Sequence, residues 1–290
     1  MQYALITPAR NEASFITHTL ESVVAQTILP FRWIIVDDAS SDETAAIIES
    51  YLSHYPFIYL LKLSHTRSRD FANKALAFSA GLKYLDCDYA FIGNLDADIS
   101  LPPSYYEIVL DAFRRNPQLG IAGGQVHTLL KGQLISCDTA LDSVGGAVQL
   151  FRRECFEEIE GYRPLPNGGI DAAAEISARC KGWKVEKVPI PVYEHRLTGS
   201  TRGNMLMARY RDGRKFYALG YDSFFFAARC VSRFREKPIC AGSIAALCGF
   251  WLARMRGQPI SLPQATVNFL RLEQRRKLRR LLSNSSSPRF

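Results

Sequence analysis

The sequence predicts an α/β protein with a mainly parallel central sheet, followed by a helical C-terminal extension. Three observations predict it. Strand-like and helix-like segments alternate through the first hundred residues, the pattern of βαβ units. Two of those strands end in paired acids, Asp37-Asp38 and Asp96-Ala97-Asp98. Charge is split along the chain: residues 1–195 hold 17 Lys and Arg against 24 Asp and Glu, a net of −7, whereas residues 196–290 hold 19 against 4, a net of +15. An acidic body joined to a basic third implies two jobs in one chain. The expected division is one domain over 1–202, with halves 1–100 and 101–202, and an extension over 203–290.

The elements follow in order. Tyr3–Thr7 is apolar enough for a buried strand, and Phe15–Gln26 carries apolar residues at helical spacing with Ser14 available as N-cap. Trp33–Val36 is the second strand. Ser40 or Ser41 can cap the next helix, which runs to about Tyr55 before Pro56, with Asp42 and Glu43 suiting its first turn. Ile58–Leu63 is the third strand, residues 69–85 a helix and Tyr89–Leu95 the fourth strand. Pro102–Asn116 is helical, Gly145–Phe151 a strand, Arg153–Ile159 a short helix, Asp171–Lys181 a helix ended by Gly182, and Trp183–Val188 a strand. From about Gly203 the chain reads as helix throughout.

With 47% hydrophobic and 22% charged residues the composition is that of a globular chain, which excludes a disordered or fibrous one. Seven cysteines are odd in number, scattered and without a CxxC pair, so reduced thiols are expected rather than a disulfide frame or a zinc site. No N-terminal signal segment is visible, so the expected location is the cytoplasm.

Right-handed crossovers bring all parallel strand C-termini to one edge, and open α/β sheets bind ligands there. Thr7-Pro8, Asp37-Asp38 and Asp96-Ala97-Asp98 therefore meet at one mouth. Two carboxylates there need a cation beside them. A divalent metal carrying a nucleoside diphosphate supplies it, because Mg²⁺ and Mn²⁺ take a few oxygen ligands plus substrate phosphates. Taken alone, Asp-x-Asp is weak evidence and reads more readily as a solvated turn.

Thr7-Pro8-Ala9-Arg10-Asn11-Glu12, Ile35-Val36-Asp37-Asp38-Ala39-Ser40-Ser41-Asp42 and Leu95-Asp96-Ala97-Asp98 stand on successive strand ends. In this order they resemble the inverting family 2 glycosyltransferases of the GT-A fold, over roughly residues 1–200. Downstream, Gly161-Tyr162-Arg163-Pro164, Gly168-Gly169-Ile170-Asp171 and Gly182-Trp183 look like the acceptor half of such enzymes, and His195–Ser200 like the closing segment of a bacterial polysaccharide-assembly subgroup.

The resemblance implies transfer of a sugar from a nucleoside-diphosphate sugar, UDP-sugar favoured, with Mn²⁺ or Mg²⁺ as cofactor. It implies Asp98 as direct metal ligand, Asp96 on the ribose or the metal, Asp38 on the base or its ribose, and Pro8, Ala9, Glu12 and Asn73 along the same pocket. Arg67 or Arg69 reaches the diphosphate or base. His195 is a further metal ligand, a diphosphate contact, or a histidine satisfying a loop carbonyl. Asp171 is the candidate general base, in a chain that has Ile170 where the commonest pattern has Glu, and Glu175 one turn on is its rival. Arg152, Arg153 and Arg163 meet an anionic acceptor, such as a lipid-linked sugar, or stay solvated.

The tail combines basic residues with apolar ones: Phe224–Phe226, the Ile239–Ala253 run and the Leu-rich side of Val267–Leu282. The 15-residue run is short of the roughly 20 needed to span a bilayer. It fits a membrane-surface or buried hairpin helix, so the expectation is peripheral attachment to the inner face of the membrane through residues 203–290, or packing on the catalytic domain or in a homodimer. No nucleic-acid module is visible. Competing activities are a polyprenyl-phosphate glycosyl synthase, a sugar-1-phosphate nucleotidyltransferase, which would want a Gly-rich loop that Thr7–Ser14 lacks, and a nucleic-acid-binding protein on a dead nucleotide fold.

Overall fold

The computed structural model describes residues 2–64, 72–86, 88–130, 133–136, 143–196, 205–236 and 238–285. Two compact units emerge: Met1–Pro166 with Ile170–Leu197, and Asn167–Gly169 with Thr198–Phe290.

The first unit is α/β. Its elements are β1 (Tyr3–Ala9), α1 (Ile16–Val24), β2 (Arg32–Asp37), α2 (Thr44–Leu52), β3 (Ile58–Lys62), α3 (Ala72–Tyr84), β4 (Phe91–Asn94), β5 (Ile99–Ser100), α4 (Tyr105–Arg115), β6 (Leu119–Leu130), β7 (Gln133–Ser136), β8 (Leu150–Arg152), α5 (Arg153–Glu158), α6 (Ile170–Cys180) and β9 (Lys184–Glu194). The described strands form one sheet in the order β3-β2-β1-β4-β8-β6-β9-β5, with β7 on β6. β1 to β4 pair in parallel, so their C-terminal ends share one edge. β4–β8 and β6–β8 are antiparallel and β6–β9 parallel.

The parallel strands are buried on both faces, which is why they read as continuous apolar runs. Tyr3 to Ile6 and Trp33 to Val36 are wholly inaccessible, and full burial of each such aliphatic side chain contributes about 1.5–3 kcal/mol. Trp33 Nε1 donates to Thr7 Oγ1 at 2.9 Å, satisfying both polar atoms inside the sheet.

The caps differ from expectation. Ser14 does not cap α1, because Phe15 N and Ile16 N both donate to the Glu12 carbonyl (2.9 Å each), closing a turn first. Neither Ser40 nor Ser41 caps α2. Both serve Asn11, and Asp42 Oδ1 accepts from Thr44 N at 3.1 Å instead.

Two strands also differ. β6 was not among the expected elements. Here a Cβ on Gly123 would lie 2.4 Å from Val144 Cγ1, and one on Gly124 2.7 Å from the Ile190 carbonyl oxygen. The glycines let neighbouring chain come close, and β6 is irregular against β9 between Gly123 and Gln125. Of the strand expected over Gly145–Phe151, only Leu150 and Phe151 join β8; residues 145–149 form a loop beside the parallel strand ends.

The second unit is helical among its described residues: α7 (Met205–Ala218), α8 (Ser223–Ser232), α9 (Ala241–Met255) and α10 (Gln264–Ser285). α7 and α9 cross closely at glycines, where a Cβ on Gly213 would lie 1.9 Å from the Ala246 carbonyl oxygen and one on Gly249 2.0 Å from that of Tyr210. Phe226 and Phe250 stack at 4.6 Å in its core. Asp222 caps α8, accepting from Phe224 N and Phe225 N. α10 turns its apolar side inward: Val267 and Leu270 are buried, Val267 lies under Gly220, and Gln274 Oε1 accepts from Asp222 N at 2.8 Å. No described helix is long and apolar enough to cross a membrane.

Candidate active site

The site is built where β1, β2 and β4 end. After β1 the chain turns through Arg10, Asn11 and Glu12, and after β2 through Asp38 and Ala39. Asn11 and Ala39 sit at φ +57° and +54°. Left-handed backbone is common for Asn but costly for Ala, and it persists only where surrounding bonds enforce it. They do so here. Asp38 N donates to the Ala9 carbonyl (2.8 Å), Asn11 N to Ser40 Oγ (3.0 Å), Glu12 N to Thr44 Oγ1 (2.8 Å) and Ala13 N to Asp42 Oδ2 (3.1 Å). The two loops are thus one stitched wall, with Arg10 reaching Asp38 Oδ2 at 3.5 Å.

The second wall follows β4. Asn94 Nδ2 donates to Asp96 Oδ1 (2.9 Å) and to the Gly146 carbonyl (2.6 Å). Lys74 on α3 lies 2.5 Å from Asp96 Oδ1 and 3.3 Å from the Gly146 carbonyl oxygen. Asp96 N donates to the Ala147 carbonyl (2.9 Å). Pro8, Ala9, Arg10, Glu12, Asp38, Asn73, Lys74, Ala77, Asp96, Ala97 and Asp98 together line a cleft of about 240 Å³.

Glu12 and Asp98 are short of counter-charge. Burial, reinforced by Asp96, pushes Glu12 up to about 7 against the pull of Arg196, while burial with Asp96, Glu12 and Glu194 around it pushes Asp98 up to about 7. Arg196 donates to Glu12 Oε2, has its Nε 3.5 Å from Asp98 Oδ2, and lies over the Phe15 ring.

Such oxygen donors fit a hard divalent cation, which holds one or two carboxylates and completes its shell from phosphates and water. Among the described residues no three His, Cys, Asp or Glu side chains converge to cage a metal without that help. His195 does not add its ring to Asp98. Its Nε2 is 2.6 Å from Ser100 Oγ and its ring stacks on His18 at 4.4 Å, so it meets Asp98 only through its main-chain N–H, 2.9 Å from the Asp98 carbonyl oxygen. Burial, then His18, lowers its pKa.

Asp171 stands in the first turn of α6, against the 145–147 loop. A Cβ on Gly146 would lie 2.8 Å from Asp171 Cβ and 2.9 Å from its Oδ2, so only glycine lets the carboxylate sit there. The same Gly146 carbonyl anchors Asn94 and Lys74, which ties Asp171 to Asp96 through one residue. The buried Tyr162 hydroxyl is pushed well up by burial and by Asp171, Asp96 and Glu175.

Glu175 is enclosed under this loop. Its Oε1 accepts from Val144 N (2.6 Å) and Gln149 Nε2 (3.1 Å), and Tyr162 donates to Gln149 Oε1 (2.7 Å). Burial pushes its carboxyl up to about 7.

Two arginines fall elsewhere. Arg152 pairs with Phe91 at the start of β4, the end opposite the site, and donates to the Leu119 and Phe113 carbonyls (3.1 and 3.0 Å). Those bonds, and the Phe91 and Phe113 rings beside it, occupy its guanidinium, which corrects the expected acceptor contact. Arg163 pairs with Glu160 at 2.8 Å rather than entering the cleft. Arg67 and Arg69 lie outside the described residues. Lys74 and Arg196 were missed. Each stood beside a residue already singled out, Asn73 and His195, and spacing alone does not say which neighbour turns inward.

Residues 4–136 match the family model described as Glycosyl transferase family 2. Poly-beta-1,6-N-acetyl-D-glucosamine synthase of Staphylococcus aureus is 25% identical over 220 residues, 69% of this chain and 51% of that protein. Chondroitin synthase of Escherichia coli is 30% identical over 112 residues, 39% of this chain and 15% of that one. The chain thus spans about half the length, or less, of these curated relatives. Among solved structures, S. aureus TarS 1–349 in complex with UDP-GlcNAc has a TM-score of 0.56 at 16% identity, covering 89% of this chain and 74% of that one. The mannosyltransferase PcManGT from Pyrobaculum calidifontis, in complex with GDP-Man and Mn²⁺, has 0.55 at 16% identity, covering 96% and 80%. At these identities the likeness is one of fold, that of the GT-A glycosyltransferases.

Proposed function

We propose that this chain, which belongs to glycosyl transferase family 2, moves a sugar from a nucleoside-diphosphate sugar to a glycan acceptor with inversion. The observation that carries this is the gathering of Asp38, after β2, and Asp96 and Asp98, after β4, around one cleft with Asp171 at the 145–147 loop beside it. UDP-sugars are the favoured donors, supported by the UDP-GlcNAc complex of TarS. A lipid-linked acceptor in polysaccharide assembly, at the inner face of the membrane, is supported by the likeness to a polysaccharide synthase and by the basic helical unit.

Each group has work suited to its surroundings. Asp38 and Arg10 face the nucleoside across Pro8 and Ala9. Asp96, held by Asn94 and Lys74, receives the ribose or the metal, and Lys74 offers a cation to the diphosphate. Asp98 and Glu12 are the carboxylates for Mn²⁺ or Mg²⁺, which would stabilise the departing diphosphate as a Lewis acid. Asp171 takes the proton from the acceptor hydroxyl. Glu175 does a different job, clamping Val144 and Gln149 so that Gly146 stays against Asp171.

Thermal unfolding with UDP, GDP and their sugars, with Mn²⁺ or EDTA, tests the donor half. A ligand at 100 times its dissociation constant adds roughly 2.7 kcal/mol of stability. The expected result is a metal-dependent shift for a uridine nucleotide that Asp98→Asn abolishes. No shift for any nucleotide sinks the reading.

A further inference from the structure

The chemistry above uses none of the apolar surface of the helical unit. On α9, Ile244, Cys248, Trp251 and Met255 recur every three or four residues and are all exposed, Met255 to 72%. On α8, Phe224 is exposed to 83% and Val231 to 69%. Phenylalanine left that open on an otherwise well-packed helix pair is unusual for a surface facing only water.

These side chains share one face. α8 and α9 run antiparallel, tied by Ser243 Oγ donating to the Cys230 carbonyl at one end and by Arg254 donating to Ser223 Oγ at the other, 2.8 Å each. α7 fills the opposite side, with Gly213 against Ala246 and the Phe216 ring 5.5 Å from Phe226. With 3.6 residues per turn, Phe224 and Val231 on α8 and Ile244 and Trp251 on α9 then project together, away from α7.

The rim carries exposed cations: Arg235 just after α8, Arg254 in the last turn of α9 and Arg256 just after it. The Arg254 guanidinium lies over the Trp251 ring at 5.3 Å while it donates to Ser223 Oγ. α10, the more obvious basic amphipathic helix, turns its Val267 and Leu270 inside the unit.

We propose that the α8–α9 face docks the protein on an anionic lipid surface. This rests on the membrane-linked acceptor proposed above and names the surface that meets the membrane. Charge selects the occupant. Two copies meeting face to face would bring their arginines together with little counter-charge, whereas acidic headgroups complement the rim while Phe224, Ile244, Trp251 and Met255 enter the boundary below them.

Flotation of the full chain with phosphatidylcholine vesicles, with and without phosphatidylglycerol, tests this. The unmodified protein should float with the anionic vesicles and be released by salt. Ile244→Glu and Trp251→Glu, both at exposed positions, should each lower partitioning roughly tenfold. Leu272→Glu, exposed on α10, should not. No flotation of the unmodified protein, or unchanged flotation of the two α9 variants, overturns the proposal. So does gel filtration showing a dimer that those variants convert to monomer, since a second copy would then cover the face. The nucleotide thermal shift, run on the same samples, separates the two readings: it should be identical in the α9 variants, and its absence from the unmodified protein counts against donor binding alone.

Discussion

The two units handle the same two commodities, charge and apolar surface, in opposite ways. In the α/β unit apolar residues are consumed by the sheet, and carboxylates gather at the strand ends with too little counter-charge: Glu12 and Asp98 share the Arg196 guanidinium. In the helical unit acids are outnumbered and paired, Asp222 with Arg275 and Glu236 with Arg209 and Arg233, while Phe224, Ile244, Trp251 and Met255 face outward. Each unit leaves one kind of demand unmet, and those places are where a ligand adds most. On the proposals above, a cation and a diphosphate meet the first demand, and an apolar, acidic surface the second.

The comparison breaks most sharply at Asp171. Asp171→Asn should lower transfer by roughly a thousandfold, the scale of a lost general base, with the nucleotide thermal shift unchanged. Turnover near that of the unmodified protein would move the base to Glu175 and remove the division of labour between the two acids.

A change of similar size is expected in the other unit with no effect on donor binding. Gly213→Ala drives a methyl group into the Ala246 carbonyl oxygen, which backbone must move to admit. Such overpacking costs about 3 kcal/mol. Hydrogen exchange should rise across α7 and α9 while the sheet amides and the nucleotide shift stay as they were.

The clamp under the 145–147 loop has a pH signature. The folded pKa of Glu175 is raised, from 4.5 to about 7, so the folded state keeps a proton that the unfolded chain releases earlier. Stability held below the ordinary carboxylate range is therefore lost as pH rises through that window. The loss is on the order of 3 kcal/mol. Glu175→Gln keeps the acceptor for Val144 N and Gln149 and should remove this share of the pH dependence, read from denaturant unfolding at about pH 4 through 8.

The smallest effect is expected at Lys74. Lys74→Ala should weaken uridine nucleotide binding roughly fivefold, about 1 kcal/mol for a half-exposed charged contact, measurable by calorimetry. An unchanged affinity would leave Lys74 as the partner of Asp96 alone.

The parts of the site carried by parallel strand ends were legible, because β2 and β4 are short apolar runs leading into acids and crossover handedness brings those ends together. Asp38, Asp96 and Asp98 do line one cleft. What could not be read was which side chain of a neighbouring pair turns inward. His195 was singled out, yet its ring stacks on His18 and Arg196 reaches the carboxylates. Arg152 followed the acceptor-side strand, but antiparallel pairing of β8 with β4 sends it to the far end. β6 was not assigned from the sequence, and its Gly123-Gly124 pair is explained only by the close approach of Val144 and Ile190.

The amino-acid sequence by itself determined the alternation of elements, the charge division and the acids at the strand mouths, since these follow from local periodicity and from one handedness rule. Only the tertiary structure decided how the 145–149 loop lies against Asp96 and Asp171, which makes Glu175 a clamp, and which amphipathic helix keeps its apolar face open. Both the α9 run and the Leu-rich side of α10 read as able to meet a membrane surface, yet Val267 and Leu270 are inside while Ile244 and Trp251 are outside. Hydrophobicity states that a face must be covered; which neighbour covers it is set by long-range packing, where glycines such as Gly213 and Gly249 let one helix pair close and leave another face free.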